Sequence, residues 1–178
     1  MPIIDRTLDA HAAGDTVRVE RQVTAGDLDR FIALSGDANP LHADAAFARS
    51  RGFRDRVVHG ALLGAFVSEL IGMRLPGRRS QLASLTLDFA APTYPGDRLE
   101  IEATVKSVHP ATRVVVLRIA IRCGAELRVR GSAIVRVEED DVVVSGDVAA
   151  AGAAGAGHAP GDTTVAAAEP AAPGRTAP

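Results

Sequence analysis

Residues 59–73 read HGALLGAFVSELIGM, from His59 to Met73. Only Ser68 and Glu69 break the apolar run between Gly60 and Met73. A helix that is apolar on nearly every face has to lie inside protein. At 1.5 Å per residue this one is about 20 Å long, too short to cross a bilayer. Arg74 follows at the carboxyl end, where a cation suits the macrodipole, and Pro76-Gly77 ends the run. The segment predicts a central helix that the rest of the domain must cover.

What covers it is legible on both sides. Downstream, 81–89 (QLASLTLDF), 98–108 (RLEIEATVKSV), 112–122 (TRVVVLRIAIR) and 126–137 (ELRVRGSAIVRV) carry strand patterns. Turn signals separate them at Pro92, Pro95-Gly96-Asp97, His109-Pro110 and Gly124-Ala125. Successive strands joined this way predict an antiparallel meander. Upstream, 16–23 (TVRVERQV) alternates as a half-buried strand does. Thr24 ahead of Ala25, Gly26 and Asp27 reads as an N-cap with an acidic first turn. Leu28, Phe31, Ile32 and Leu34 then share a helix face that ends near Gly36. Asp37 to His42 is a loop by its Asn39-Pro40 punctuation, and 43–51 reads as another short helix. One strand, helices including a buried one, then four strands predict an α+β domain, an antiparallel sheet wrapped around a long central apolar helix.

The 178 residues suit one domain with a tail. From Ser145 onward the sequence turns to Ala, Gly, Pro and Thr, with Val148 and Val165 as isolated branched aliphatics. Such a stretch buries too little apolar surface to offset its chain entropy. The division is therefore a folded domain over 1–145 and a disordered tail or linker over 146–178.

Twenty Lys and Arg against 22 Asp and Glu leave a net charge of −2. That balance gives no electrostatic reason to expect nucleic acid or an anionic membrane as partner. Aromatics make up 3% of the chain and there is no Trp, so the core is aliphatic and a base-stacking platform is not expected. The single cysteine, Cys123, has no partner for an internal disulfide or a Cys-based metal site, and its strand context predicts a buried structural thiol. Residues 1–13 carry Asp5, Arg6 and Asp9 and do not read as a signal peptide, and no run reaches membrane-spanning length. A soluble cytoplasmic protein is the expectation.

Chemistry concentrates in three places. Asp37 and His42 flank Asn39-Pro40. A proline-stiffened loop can aim a carboxylate and an imidazole at one water, which is general acid–base work; the alternative is a turn aspartate and a capped loop histidine. Gly60, after Val57-Val58-His59, opens the buried helix. There free N–H groups and the absence of a Cβ suit an oxyanion; the alternative is that Gly60 serves packing and His59 caps the helix. Ser68 puts a hydroxyl inside an apolar helix, either bonded back to a carbonyl one turn earlier or turned toward the site. No phosphate-binding glycine loop, His/Cys metal cluster or Gly-x-Ser-x-Gly elbow is present.

The string Phe31-Ile32-Ala33-Leu34-Ser35-Gly36-Asp37-Ala38-Asn39-Pro40-Leu41-His42, with Val57-Val58-His59-Gly60-Ala61-Leu62-Leu63 downstream, resembles the MaoC-like (R)-specific enoyl-CoA hydratases. The resemblance covers about residues 12–138. It implies the hot-dog fold, pairing of two copies edge to edge, and reversible addition of water to an enoyl thioester to give the (3R)-hydroxyacyl product. That chemistry belongs to fatty-acid or polyhydroxyalkanoate-type acyl-CoA metabolism. By similarity, Asp37 and His42 grip the water, the Gly60 N–H polarises the thioester carbonyl, Asn39 shapes the loop, and Ser68 and His59 help to hold the site. No metal or redox cofactor is implied, and coenzyme A, or acyl carrier protein, arrives as part of the substrate. A hot-dog acyl thioesterase and a non-catalytic acyl-thioester-binding subunit are the other two readings. The Ala/Pro-rich tail departs from compact single-domain hydratases and resembles an interdomain linker.

Overall fold

The computed structural model describes residues 2–138. The expected boundary at 145 and the tail reading for 146–178 both lie outside the described residues. Five strands form: β1 (Thr16–Gln22), β2 (Ser80–Phe89), β3 (Arg98–His109), β4 (Val114–Cys123) and β5 (Glu126–Val137). Four helices lie between β1 and β2: α1 (Ala25–Ser35), α2 (Pro40–Ala43), α3 (Ala45–Ser50) and α4 (Gly60–Met73).

All pairings are antiparallel, in the order β1-β3-β4-β5-β2. The meander holds for β3, β4 and β5. It fails for β2, which pairs with β5 at the far edge instead of with its chain neighbour β3. The cause is length: residues 90–97 are longer than the usual hairpin loop and carry the chain across the end of the sheet. Two smaller expectations also shift. Residues 40–43 form one helical turn where the sequence predicts a loop to His42, because Pro40 occupies the first helical position and Asn39 caps it. β4 starts at Val114 rather than at 112, after a 3-10 turn at Pro110–Thr112 and a left-handed Arg113 (φ 54°).

α4 packs on one face of the sheet. Its Leu62, Leu63, Phe66, Val67, Leu70 and Ile71 are buried against inward-facing strand residues such as Ile101, Leu117, Ile119 and Val129. Each such side chain contributes about 1.5–3 kcal/mol of transfer free energy. The helix is not covered all round, however. Ala61, Ala65 and Ser68 are exposed along one stripe beside β2, with nothing among the described residues laid over them. Cys123 ends β4 half-buried and packed against the core. Among the described residues no helix is long and apolar enough to cross a membrane.

His11 is buried in the segment before β1, and neither ring nitrogen has a hydrogen-bond partner. Burial first, then the nearby Arg6 charge, lowers its pKa from the ordinary 6.5, with Asp15 opposing. The fold therefore favours the neutral ring while the unfolded chain takes up the proton more readily. Stability is full above 6.5 and declines as pH falls from there toward the lowered folded value. Urea unfolding between pH 7.5 and 5 should show this loss, and His11→Leu should flatten that part of the profile.

Candidate functional site

The sequence between β1 and α4 builds a rigid bracket. Thr24 Oγ1 accepts from the Asp27 N–H (3.1 Å), and the Thr24 N–H donates to Asp27 Oδ2 (2.9 Å), a capping box that starts α1. The Thr24 N–H first, and less so the Thr24 hydroxyl, lower the Asp27 pKa by donating to its carboxylate, with burial opposing. α1 ends at Gly36 in the left-handed region (φ 74°), a conformation glycine adopts without strain. Ser35 Oγ donates to the Phe31 carbonyl (2.7 Å) and accepts from the Asp37 N–H (3.2 Å). The next turn is held by its own side chains. Asp37 Oδ1 accepts from the Asn39 N–H (3.2 Å), and Asn39 Oδ1 accepts from the Leu41 N–H (2.9 Å).

That turn is strapped to the segment entering α4. The Val57 N–H donates to the Leu41 carbonyl (3.0 Å). His42 Nδ1 lies 2.7 Å from the Val57 carbonyl. A carbonyl oxygen only accepts, so Nδ1 carries the proton and Nε2 keeps a free lone pair. Val58 is fixed in turn by its N–H, which donates to the Thr93 carbonyl (2.8 Å).

His59 is the hub. It is 2% exposed and immediately precedes α4, yet its side chain caps no N–H of that helix. Its Nε2–H donates to the Asp37 carbonyl (3.0 Å), and the same nitrogen is 3.9 Å from the Asp37 carboxylate. Its ring stacks on His42 with centroids 3.8 Å apart and planes 28° from parallel, and Phe31 tilts against it at 4.9 Å. Asp37, His42 and His59 each bring one nitrogen or carboxylate oxygen to within 4.8 Å of the others. Asp37 stands at the exposed rim and His42 is half-buried.

This cluster has the composition of a metal site, but its hydrogen bonds commit the donors elsewhere. His42 Nδ1 and His59 Nε2 are spent on carbonyls, and His59 Nδ1 is buried with no partner. Among the described residues this leaves His42 Nε2 and the second Asp37 carboxylate oxygen without a hydrogen bond, two acceptors suited to one small donor.

Gly60 is the first residue of α4, so its N–H lacks an intrahelical acceptor and points out of the helix end. A hollow of about 420 Å³ joins His42 to Gly60, walled by Phe53, Val57, Leu63 and the 89–93 segment. Asp37, His42 and His59 thus form one cluster, Asn39 caps the turn inside it, and Gly60 shares the hollow with His42. Ser68 does not join them. It lies on the open stripe of α4, two turns beyond Gly60, in a second hollow lined by Gly60, Ala61, Gly64, Ala65, Leu87 and Phe89.

Several contributors went unread in the sequence. The carbonyl of Val57 fixes a tautomer, and no side-chain pattern announces a backbone acceptor. Arg128 sits at a bulge of β5, where two residues oppose one on β4, and is buried there. Its Nη1 donates to the Pro92 carbonyl (2.7 Å), and its Nη2 is 3.7 Å from the buried Asp97. Asp97 also pairs with Arg54 and accepts from the Tyr94 N–H (3.0 Å). The 90–97 wall of the hollow is anchored by this network. Three arginines share that strand pattern, at 128, 130 and 136, so nothing in the sequence singles out the buried one.

Known proteins resemble the chain in the same region. The MaoC like domain matches residues 9–121. The (R)-specific enoyl-CoA hydratase of Aeromonas caviae is 35% identical over 70% of this chain and 93% of its own length. A mitochondrial 3-hydroxyacyl-[acyl-carrier-protein] dehydratase of Arabidopsis thaliana is 36% identical over 48% of this chain and 51% of its own. The solved R-hydratase of Pseudomonas aeruginosa superposes with a TM-score of 0.71 at 28% identity, covering 82% of this chain and 96% of that one. The α+β hot-dog architecture expected from the sequence is the fold of this chain.

Replacing Asn39 tests the bracket without touching the acceptors themselves. Asn39→Ala leaves the Leu41 N–H without its side-chain acceptor, and urea unfolding should register a loss of about 0.5–2 kcal/mol. Asn39→Ser, which keeps a capping oxygen, should recover most of it.

Proposed function

The chain belongs to the MaoC-like domain family, and on that premise we propose that it is a hydro-lyase that adds water reversibly to a trans-enoyl thioester to give the (3R)-hydroxyacyl product. The observation that carries this reading is the pair of acceptors, His42 Nε2 and the Asp37 carboxylate, beside the amino end of α4. A water donating to both presents its oxygen lone pair to a carbon placed over the loop. As that oxygen bonds to the β-carbon, one of the two acceptors takes a water proton. Electrons of the double bond move through the α-carbon to the thioester oxygen. The Gly60 N–H and the α4 dipole meet that developing charge, an interaction worth about 2.7–4 kcal/mol per donor. The acid–base pair then returns the proton to the α-carbon. Oxygen and hydrogen are added with no net redox change, so the step calls on no redox cofactor, and the thioester handle enters with the substrate.

His59 and Asn39 act in this reading as positioning residues. His59 holds the Asp37 backbone and supports the His42 ring, and Asn39 holds the turn between them. The proposed handle is coenzyme A, with acyl carrier protein thioesters to be assayed beside it because the plant relative is named for them. A cytoplasmic location belongs to the same proposal.

We also propose that two copies associate through the β2 edge. Among the described residues β2 is an edge strand with no partner on its outer side, Leu82 and Phe89 are exposed on it, and the bare stripe of α4 lies alongside. Sedimentation should give twice the chain mass, and a monomer at micromolar concentration would overturn the pairing.

Crotonyl-CoA tests the chemistry directly. Loss of the enoyl absorbance with no free thiol is the expected result; release of thiol would mean a thioesterase, and no change would mean a binding subunit. Asp37→Asn and His42→Ala should each cut hydration about a hundred- to ten-thousandfold while circular dichroism stays native. Full activity in either variant would refute the roles assigned to the pair.

A further inference from the structure

Phe89 is the last residue of β2 and is 55% exposed. It follows Leu85 and Leu87 on the face of the edge strand that looks toward α4. The strand crosses the helix at its two glycines. A Cβ on Gly64 would meet Leu87 Cδ1 at 3.6 Å, an ordinary contact, whereas a Cβ on Gly60 would meet Phe89 Cζ at 2.6 Å. The tip of the ring therefore stands directly over the Gly60 α-carbon, a place that glycine alone leaves free.

Two hollows meet at this point. One holds His42 and has a volume of about 420 Å³. The other runs along the small-residue stripe of α4 and has a volume of about 510 Å³. Gly60 and Phe89 are the two residues that line both, so the ring is the partition between them. The second hollow is a trough of Ala61, Gly64, Ala65, Leu85 and Leu87, with one hydroxyl, Ser68, about 12 Å along the helix from Gly60. Its lining matches a hydrocarbon tail and offers nothing to a polar group before Ser68.

We propose that Phe89 sets the length of acyl chain the protein accepts. This rests on the hydratase reading above. With the ring over Gly60, a thioester whose carbonyl sits at the Gly60 N–H finds the trough closed, and short acyl groups are preferred. An exposed aromatic side chain changes rotamer quickly, so the partition moves, but each longer substrate has to displace it. The ring touches neither Asp37 nor His42 in this arrangement, and its role is one of specificity.

Two measurements on the full chain separate this proposal from the reading it rests on. Turnover of crotonyl-, hexenoyl- and octenoyl-CoA gives the ratio of kcat/KM for long over short chains. Calorimetric affinities for butyryl- and octanoyl-CoA, which are saturated and do not react, give the same ratio without chemistry. Phe89→Ala should raise both ratios by about tenfold or more, Phe89→Trp should lower them, and Ala65→Leu added to Phe89→Ala should cancel the gain by filling the trough. Phe89 and Ala65 border the edge proposed to pair two copies, so circular dichroism and sedimentation of each variant accompany the ratios and should match the unmodified chain. Octanoyl-to-butyryl ratios that agree within about twofold across the three variants would overturn the proposal. Binding that responds as expected in a protein that turns over no enoyl thioester would instead count against the hydratase reading and leave the partition standing.

Discussion

One hydrogen bond joins the two halves of the site. The Nε2–H of His59, at the start of α4, donates to the carbonyl of Asp37, which ends the bracket built by α1. The residues are 22 positions apart; the Leu41 and His42 bonds to Val57 and the stacking of His59 on His42 tie the neighbouring turn to the helix, but this bond alone holds the Asp37 backbone to it. The same ring forms the floor under His42. Burial fixes the ring, because α4 is anchored by six core side chains and cannot shift along the sheet without opening a cavity. Hydrophobic packing thus decides where the amino end of the helix lies. A buried imidazole passes that position on to the carboxylate and imidazole at the surface.

The chemistry that results is a matter of which lone pairs are left over. His42 gives one nitrogen to the Val57 carbonyl and keeps the other. Asp37 gives one carboxylate oxygen to the Asn39 N–H and stays open at the rim. Gly60 supplies a donor with no intrahelical partner. In the proposed function these two acceptors and one donor serve to move a proton between oxygen and carbon while charge collects on a carbonyl. The opposite wall is held by charge in place of packing: Arg128, turned inward by a bulge, grips Asp97 and the Pro92 carbonyl. Breaking a buried pair of this kind strands its partner without compensation, so that wall is stiff.

Much of this was legible in the order of residues, for reasons that are local. Thr24 and Asp27 specify a helix start through their own side chains, Gly36 specifies its end, and Asn39-Pro40 specifies a turn, each within a few residues. The strand patterns of β3, β4 and β5 show which side faces inward, because alternation is a property of the strand itself. Asp37, His42 and Gly60 stood out because a stiff turn and a helix start are features that sequence states directly.

What only the tertiary structure decided are the relations between distant segments. The sequence could not place β2 on the outside of β5, since pairing partners depend on where a long connection leads the chain. It read α4 as covered all round, whereas the stripe through Ala61, Ala65 and Ser68 lies open, since coverage is a property of the neighbours and not of the helix. Nor did it identify the Val57 carbonyl that selects the His42 tautomer, or the Phe89 ring seated on Gly60. The sequence determined the elements and the reactive groups because periodicity, capping and turn chemistry act over a few residues. The meeting of those groups was decided by packing, which acts between residues far apart in the chain.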